Sequence, residues 1–433
     1  MKITDVETHV ICPPFHAWNS EALTRYHGPD FRYRTVFIVH TDNGLVGLGE
    51  HTGREWAGMD EWIGRFRGTN PCDWLANPTL PIALAPAIYD LVGQYNAVPA
   101  YKLFGPQVRK RVPMGTWTVS QTPAKMAEEV RHGAQAGYTW LKYHTNHFHN
   151  IIAQTSAMQE VAPPGFKIHY DLNFDNTVEH VLDLARELIH FPIAGALEDP
   201  LRIHDFEGHR VLRQKCPLPI YFHHLPLSGR EALMGLADGY MLGHSPVGEV
   251  IRRAGLFEAA NIPFMLQNVG GHITRAFVAH MAAVFPMATL HHVNDCQLWA
   301  EDVVTPAMEV AGGTVRVPET PGLGVTLDRD ALAKWAAAEP DPSPRALVRI
   351  QYAGLPPIYA RLPVHALSDY RNVGPSFVDG YGPGYNQPVD LDYWDDDGAA
   401  QFAATWERTA AGPVSGDEMS GGMGEWESGG KKK

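Results

Sequence analysis

A regular alternation of strand-like and helical segments between residues 113 and 292 constrains the fold more than any other feature of the sequence. Seven helical patterns separate eight predicted strands, which cover 113–119, 139–144, 167–172, 194–198, 218–222, 239–242, 262–266 and 288–292. Parallel strands that alternate with helices form βα units that close into a barrel. We therefore predict an α/β protein built on a TIM-type barrel.

Three neighbouring strands of this predicted barrel end in residues that can bind a cation. Asp171 and Glu198 are 27 positions apart, and His224 follows Glu198 after a further 26 positions. A barrel uses roughly 30 residues for each strand and helix, and its chemistry lies at the carboxyl ends of the strands. These side chains should therefore meet at the barrel mouth as a metal site. The alternative is that each is an ordinary strand-exit residue, since Asp favours turns, but that alternative does not explain the shared spacing.

The composition argues against several classes of protein. The net charge of −13 disfavours general nucleic-acid binding and attachment to an anionic membrane surface. No apolar run reaches 18 residues, and the N-terminus lacks the apolar core of a signal peptide. The four cysteines are scattered without CxxC spacing, which is typical of reduced thiols. We expect a cytoplasmic protein that binds neither nucleic acid nor membranes.

Changes in pattern along the chain predict four segments. Residues 1–110 form an α+β capping domain, in which Thr41-Asp-Asn-Gly44 is a hairpin turn. Residues 111–330 form the barrel, and 331–409 form a C-terminal segment that packs back on the capping domain. Residues 410–433 are rich in Gly, Ser, Glu and Lys, which predicts a disordered tail.

The loop 13–31 is long and aromatic, and such loops often form lids over a site. His16 and Trp18 within it are candidates for contact with a substrate. A packed surface loop is the alternative interpretation.

Several motifs make the chain similar to the enolase superfamily, and within it to the mandelate racemase/muconate lactonizing enzyme group. The motifs are Thr41-Asp-Asn-Gly-Leu-Val-Gly-Leu-Gly-Glu50, Asp171-Leu-Asn173, Leu197-Glu-Asp-Pro200 and Pro321-Gly-Leu-Gly-Val-Thr-Leu-Asp328. The resemblance covers roughly residues 1–330 and implies a capping domain over a modified (β/α)7β barrel. It also implies a divalent metal, usually Mg²⁺, and a small-molecule carboxylate substrate whose α-proton is removed to give a metal-stabilised enediolate. By analogy with this group, we expect a homo-oligomer.

The base is expected on the second barrel strand. Lys142 and His144 are two residues apart, so they share one face of that strand. The family pattern here is Lys-x-Lys, whose second lysine is the base, and His144 takes that position in this chain. Imidazole titrates near neutrality and is a competent base. Asn173 matches a family position near the metal, which makes it a candidate for substrate binding, and a simple turn-forming role is the alternative.

The third metal ligand departs from the family pattern. That position is normally a carboxylate, but strand alignment places His224 there, with His223 as the alternative. Mg²⁺ prefers oxygen, whereas imidazole also suits Mn²⁺ and Zn²⁺. The metal could therefore be Mg²⁺, as the resemblance implies, or Mn²⁺ or Zn²⁺.

The residues after the sixth, seventh and eighth strands differ further from the family pattern. Many members carry an Asp–His dyad after the sixth and seventh strands, but His244 and Gln267 occupy that region here, and we take Gln267 as a candidate for substrate binding. We also expect no counterpart of the family's eighth-strand acid, because His291-His-Val-Asn-Asp295 stands in its place. Racemisation needs groups on both faces of the α-carbon, so the pattern favours dehydration, with His244, His272 or His292 as the general acid. Of these, we predict His292 as a catalytic residue beside His144 and Lys142.

The sequence thus predicts a metal-dependent lyase that dehydrates a sugar acid through an enediolate. One alternative is an epimerase, racemase or cycloisomerase of the same superfamily. A second alternative is a barrel that has lost catalysis and only binds acids or a partner.

Overall fold

The computed structural model of this protein describes residues 1–54, 56–146, 148–173, 176–202, 204–223, 230–340, 345–363 and 389–418. The predicted ligand His224 lies outside these described residues. No helix among them is long and apolar enough to cross a bilayer.

The N-terminal region contains a three-stranded antiparallel sheet, with the strand order β1-β2-β3, and several helices. Its elements are β1 (Ile3–Ile11), α1 (Ser20–His27), β2 (Arg34–Thr41), β3 (Val46–Thr52), α2 (Met59–Phe66) and α3 (Ala85–Tyr95). The predicted hairpin turn joins β2 to β3, with Gly44 in the left-handed region at φ 82°. A Cβ at Gly47 would clash with the backbone of Ala87, so glycine on β3 allows α3 to pack closely. The helix α1 lies within the predicted lid 13–31.

Eight parallel strands close into a barrel. The strands are β4 (Arg111–Val119), β5 (Trp140–His144), β6 (Lys167–Asp171), β7 (Ala194–Glu198), β8 (Ile220–Phe222), β9 (Gly239–Gly243), β10 (Phe264–Gln267) and β11 (His292–Val293). β11 pairs with β4 through His292–Met114 and Val293–Gly115, which completes the ring. The prediction of a modified TIM-type barrel with an N-terminal cap is confirmed.

In the part of the chain that the structure describes, seven helices connect the barrel strands, as the sequence predicted. They are α4 (Pro123–Gln135), α5 (Ile151–Val161), α6 (Val178–Leu188), α7 (Phe206–Lys215), α8 (Arg230–Met234), α9 (Val247–Ala259) and α10 (His272–Ala282). Short polar side chains start several of them. Asn150, Thr177 and Asp205 each accept a hydrogen bond from a backbone N–H of the first turn of their helix.

The barrel interior changes character from apolar to polar toward the carboxyl ends of its strands. An apolar layer contains Ala196, Tyr221, Met241 and Met265. Two residues further along β7 and β10, the inward side chains are Glu198 and Gln267. The apolar layer therefore forms the floor of a polar mouth.

Four short strands and a helix follow the barrel. They are β12 (Val304–Thr305), β13 (Val310–Ala311), β14 (Thr314–Arg316), β15 (Thr326–Leu327) and α11 (Arg329–Ala336). The hairpin of β13 and β14 extends the barrel sheet beside β4 in the antiparallel direction. The helix α11 packs against β1 of the capping region.

A second antiparallel sheet, with strand order β18-β16-β17-β19, lies near the C-terminus. Its elements are β16 (Ala346–Tyr352), β17 (Ile358–Arg361), β18 (Val389–Asp395), α12 (Ala400–Arg408) and β19 (Val414–Ser415). We call this group of elements the C-terminal sheet. It shares a core with the lid helix α1 and with β4, through residues such as Ile350, Leu23 and Trp117. The strand β19 falls inside the predicted tail 410–433, of which 419–433 lie outside the described residues.

A buried carboxyl between β4 and α4 provides a test of how burial affects stability. Glu129 is 3% exposed, and its Oε1 accepts hydrogen bonds from Thr118 Oγ1 at 2.8 Å and Gln121 Nε2 at 2.7 Å. Burial raises the pKa of Glu129 to about 7. Because the unfolded chain binds this proton less tightly, the stability that Glu129 contributes falls as pH rises from about 4.5 to about 7.

We predict that Glu129→Gln is more stable than the parent by about 1–3 kcal/mol at pH 8 and about equal to it at pH 4.5. Glutamine keeps the accepting oxygen and removes the charge. Urea unfolding at both pH values measures the difference, and exposed Glu187→Gln on α6 is the control. A difference between variant and parent that does not change with pH would contradict this account.

Candidate metal and acid–base site

The Lys142 ammonium is the centre of a buried polar cluster at the barrel mouth. Its Nζ lies 3.0 Å from Asp171 Oδ2, 2.8 Å from Glu198 Oε2 and 3.1 Å from Gln267 Oε1. These side chains come from β5, β6, β7 and β10, and Lys142 and Glu198 are fully buried. The predicted Lys142, Asp171, Glu198 and Gln267 therefore come together in one place.

The charges in this cluster stabilise one another. Burial alone would lower the pKa of Lys142, but the charges of Asp171 and Glu198 raise it above its usual value. Burial would likewise raise the pKa of Glu198, but the Lys142 charge and hydrogen bonds from His169 and His223 hold it well below its usual range. Both groups are thus charged at neutral pH.

A set of metal donors lies beside this ion pair. Ligand atoms of Glu198, Asp199 and His223 all lie within 4.8 Å of one another, and all three residues are buried. Asp199 follows β7 with a left-handed φ of 42°, and its Oδ1 accepts a hydrogen bond from His223 N at 2.9 Å. Two carboxylates and one imidazole suit a divalent cation, so the donor chemistry fits the metal that the sequence implied.

This donor set overlaps only in part with the predicted one. Glu198 belongs to both sets, and His223 is the alternative that the sequence left open beside His224. Asp171 joins Glu198 through their shared contact with Lys142. Asp199 was not proposed as a ligand, although Glu-Asp-Pro was recognised as a motif at the strand exit.

His144 stands next to Asp171 at the end of β5. Its Nε2 lies 3.3 Å from Asp171 Oδ2, and its ring is perpendicular to the Trp117 ring at 5.0 Å. Burial lowers the pKa of His144 to about 3, so the imidazole is neutral at physiological pH. If Nε2 carries the proton toward Asp171, then Nδ1 is the basic atom.

Two histidines below the mouth support Glu198 from inside the barrel. His169 Nε2 lies 2.9 Å from Glu198 Oε2, and His169 Nδ1 lies 2.9 Å from His291 Nε2. The His291 ring stacks on Trp140 at 3.9 Å. The sequence analysis missed this pair, although His169 is two residues before Asp171 and so faces the same side of its strand.

The other predicted substrate-binding residues have different surroundings. The Asn173 side chain donates to the carbonyl oxygens of Thr145 and Asp171, and so links the exits of β5 and β6. In the lid, Trp18 stacks between His16 and His132, a residue of the outer helix α4. The structure therefore does not bring His16 and Trp18 to the Lys142 cluster.

A different part of the lid reaches the mouth. The Tyr26 ring lies 6.4 Å from the His144 ring, and the His27 ring lies 5.7 Å from Trp117. Both residues are at the end of α1, where sequence pattern alone gave no sign of which lid residues face inward.

The three candidates for the general acid differ in their contacts. His292 Nδ1 accepts a hydrogen bond from Leu266 N at 2.8 Å inside the strand layer, so the structure does not bring this predicted catalytic residue to the cluster. His272 Nδ1 accepts a hydrogen bond from Met308 N at 3.1 Å. His244 instead lines a cavity.

This cavity, of about 250 Å³, opens between the capping region and the barrel. His244 is exposed to it, beside His51, Asn268 and Thr274. Among the described residues we find no hydrogen bond to the His244 ring. Of the three candidates, a bound molecule can therefore reach His244, but burial lowers the pKa of this ring to about 4, so it is neutral at physiological pH.

An acid is present after the eighth strand, where the sequence suggested none. Asp295 is buried with a left-handed φ of 58°, and its Oδ1 has no hydrogen-bond partner in the part of the chain that the structure describes. Burial raises the pKa of Asp295 to about 7, against the opposing charges of Lys142 and Arg275. In its neutral form this carboxyl can donate a hydrogen bond to an anion.

Comparison with known proteins agrees with this architecture. A family model described as "Enolase C-terminal domain-like" matches residues 125–331. The chain is 25% identical to a D-gluconate dehydratase of Thermoproteus tenax over 67% of this chain and 61% of that protein. The chain thus spans about three-fifths of that relative. It is 26% identical to a D-galactonate dehydratase of Ralstonia nicotianae over 74% of this chain and 94% of that protein.

Residues 125–331 of this chain are thus enolase-like. A mandelate racemase/muconate lactonizing family protein from Azoarcus sp. has the same fold, with a TM-score of 0.63 and 22% identity over 78% of this chain and 98% of that one. An enolase from Thermobispora bispora, solved with magnesium and formate, has a TM-score of 0.64 and 22% identity over 78% of this chain and 92% of that one. The predicted resemblance is confirmed over the matched residues.

The barrel of this protein should depend on Lys142 for its stability. We predict that Lys142→Met lowers the free energy of unfolding by about 3–5 kcal/mol at pH 7, because Asp171 and Glu198 lose their shared cation. The deficit should shrink below about pH 4.5, because the lowered pKa of Glu198 stabilises the parent fully only above the usual value of that carboxyl.

Urea unfolding at pH 7 and at pH 4 measures this deficit, and exposed Lys102→Met is the matched control. A deficit that is the same at both pH values would show that lost packing, and not the charge, is responsible.

Proposed function

We propose that this protein is a metal-dependent hydro-lyase that dehydrates a sugar acid by removing the proton α to its carboxylate. The observation that carries the proposal is the neutral His144 imidazole beside the cluster of Lys142, Asp171 and Glu198 at one barrel mouth. Named relatives support the substrate class, because they include dehydratases of gluconate, xylonate, galactonate and arabinonate.

Glu198, Asp199 and His223 would hold the cation, with Asp171 as a further oxygen donor. The family pattern favours Mg²⁺, and the imidazole of His223 also admits Mn²⁺ or Zn²⁺. A divalent cation bound there would offset the second negative charge that develops on the substrate carboxylate when the α-proton leaves.

The side chains of the chain itself then perform the proton transfers. His144 Nδ1 takes the α-proton, while Asp171 holds Nε2 and so fixes the orientation of the ring. His144, now protonated, gives this proton to the β-hydroxyl on the same face of the substrate, and the hydroxyl leaves as water as the carbon–oxygen bond breaks. His244 lines the cavity as a neutral ring, because burial lowers its pKa to about 4. Lys142 remains protonated and adds positive charge near the substrate carboxylate. The resulting enol becomes the 2-keto acid when a proton returns to carbon.

The first test of this proposal concerns the metal. We predict about one divalent ion per chain in the parent protein, by elemental analysis after incubation with Mg²⁺ or Mn²⁺. Glu198→Gln and His223→Ala should lower the metal content and abolish dehydration of a sugar-acid library. Glu160→Gln, an exposed substitution on α5, is the control.

Circular dichroism distinguishes loss of metal from loss of fold in these variants. If Glu198→Gln folds, keeps its metal and turns over substrate at the parent rate, the proposed ligand set is wrong.

The second test concerns the base. We predict that His144→Asn retains the metal but loses at least about 100-fold in kcat, because a general base contributes typically 10²–10⁴-fold. It should also lose exchange of the substrate α-proton with solvent deuterium, measured by NMR. Exposed His190→Asn is the control.

The same NMR experiment separates dehydration from the alternative reactions. Deuterium in recovered substrate without formation of a keto acid would favour an epimerase or racemase, the activity named for a relative from Bacillus cereus that is 22% identical. Exchange at the parent rate in His144→Asn would exclude His144 as the base.

A further inference from the structure

The end of the lid helix α1 forms a wall of the proposed active site. Tyr26 is 4% exposed and packs near the His144 ring. His27 stacks on Phe31 at 4.1 Å and contacts the Trp117 ring, which is itself perpendicular to His144. Any movement of α1 would therefore change the surroundings of the proposed base.

The C-terminal sheet covers the outer side of this helix. Leu23 and Tyr26 of α1 belong to one buried cluster with Val348, Ile350 and Leu391 of the sheet. The family match ends at residue 331, so the whole sheet lies beyond the enolase-like region. The lid is thus packed between the barrel and an element outside that region.

Arg25 links the lid helix α1 to the strand β18 of the C-terminal sheet. Its guanidinium bonds Asp395 of β18, with Nη2 3.0 Å from Oδ2, and bonds Glu21 of its own helix, with Nε 3.0 Å from Oε1. It also lies 4.4 Å above the ring of Tyr393. The Arg25 side chain is only 15% exposed, so two carboxylates and one aromatic ring fix its planar group.

The two faces of β18 have different partners. Leu391, Tyr393 and Asp395 face the lid, whereas Asp392 on the opposite face bonds Arg349 within the sheet, with Nη2 3.0 Å from Oδ2. The alternation provides two Asp–Arg pairs on one strand, of which only one reaches the lid.

We propose that the C-terminal sheet is a brace for the lid, in which Asp395 and Arg25 are positioning residues that hold Tyr26 and His27 against His144. This inference rests on the proposed function for its catalytic consequence. The C-terminal sheet holds the lid closed, so Tyr26 and His27 already stand beside His144 before a substrate binds.

The kinetic test compares Asp395→Asn and Arg25→Met with Asp392→Asn as the matched control. When the lid is closed for only part of the time, the apparent affinity falls by that fraction, while saturating substrate restores the closed state. We therefore expect KM to rise about three- to tenfold in Asp395→Asn and Arg25→Met with kcat nearly unchanged. Asp392→Asn should keep the parent KM, and Asp395→Glu should restore most of it.

Hydrogen exchange of the substrate-free protein tests the brace without any activity. Backbone amides of residues 20–31 should exchange about threefold faster or more in Asp395→Asn than in Asp392→Asn. Faster exchange in a protein that dehydrates no acid would support the brace and refute the proposed function. Exchange and KM equal to the Asp392→Asn control would overturn the brace.

Discussion

The buried Lys142 ammonium is the interaction on which the site depends. A charge this deep in a barrel is tolerated only if acceptors surround it, and carboxylates at the ends of β6 and β7 supply them. Those carboxylates need the ammonium equally, because without it they would face each other in a medium that solvates ions poorly. The cluster is therefore preorganised, and the apolar layer beneath it shields it from water on that side.

A second buried cation joins the capping region to the barrel. Arg34 is fully buried on β2, and its Nη1 bonds Glu50 Oε1 at 2.7 Å and Asp302 Oδ2 at 2.9 Å. Glu50 Oε2 in turn accepts hydrogen bonds from Gly271 N and Thr274 N at the start of α10, where a negative charge is favoured. The lid runs from β1 to β2, so this network fixes the point at which the lid returns to the body of the protein.

The sequence was sufficient for features that repeat locally. Strand positions, Asp171, Glu198 and the pair Lys142 and His144 follow from a period of two within strands and a spacing near 27 between them. Residues whose orientation depends on register were harder to place. The sequence predicted His292 as a catalytic group, but the ring of this residue of the two-residue strand β11 bonds the backbone of β10. His291 faces the interior instead.

The sequence pattern also could not predict which loop residues face the barrel mouth. The lid contains His16, Trp18, Tyr26 and His27, and only the path of α1 between the barrel and the C-terminal sheet decides that the last two face the mouth. That sheet lies more than 300 residues away in sequence, so its effect on the lid arises from long-range packing that no local motif encodes.

The charge balance of the mouth links the proposed metal to substrate binding as well as to chemistry. Three acidic side chains, those of Asp171, Glu198 and Asp199, surround one ammonium group, that of Lys142, so acidic groups outnumber basic ones in the cluster. A sugar acid carries its own negative charge and would be repelled by such a cluster. A divalent cation would bring the cluster close to neutrality. Because His223 is a neutral ligand, it adds no further negative charge to that of Asp199. After β8, where the family pattern has a carboxylate, this chain has the imidazole of His223. Together with the carboxylate of Asp199, it can supply the same charge as one acidic ligand, which fits a functional metal site.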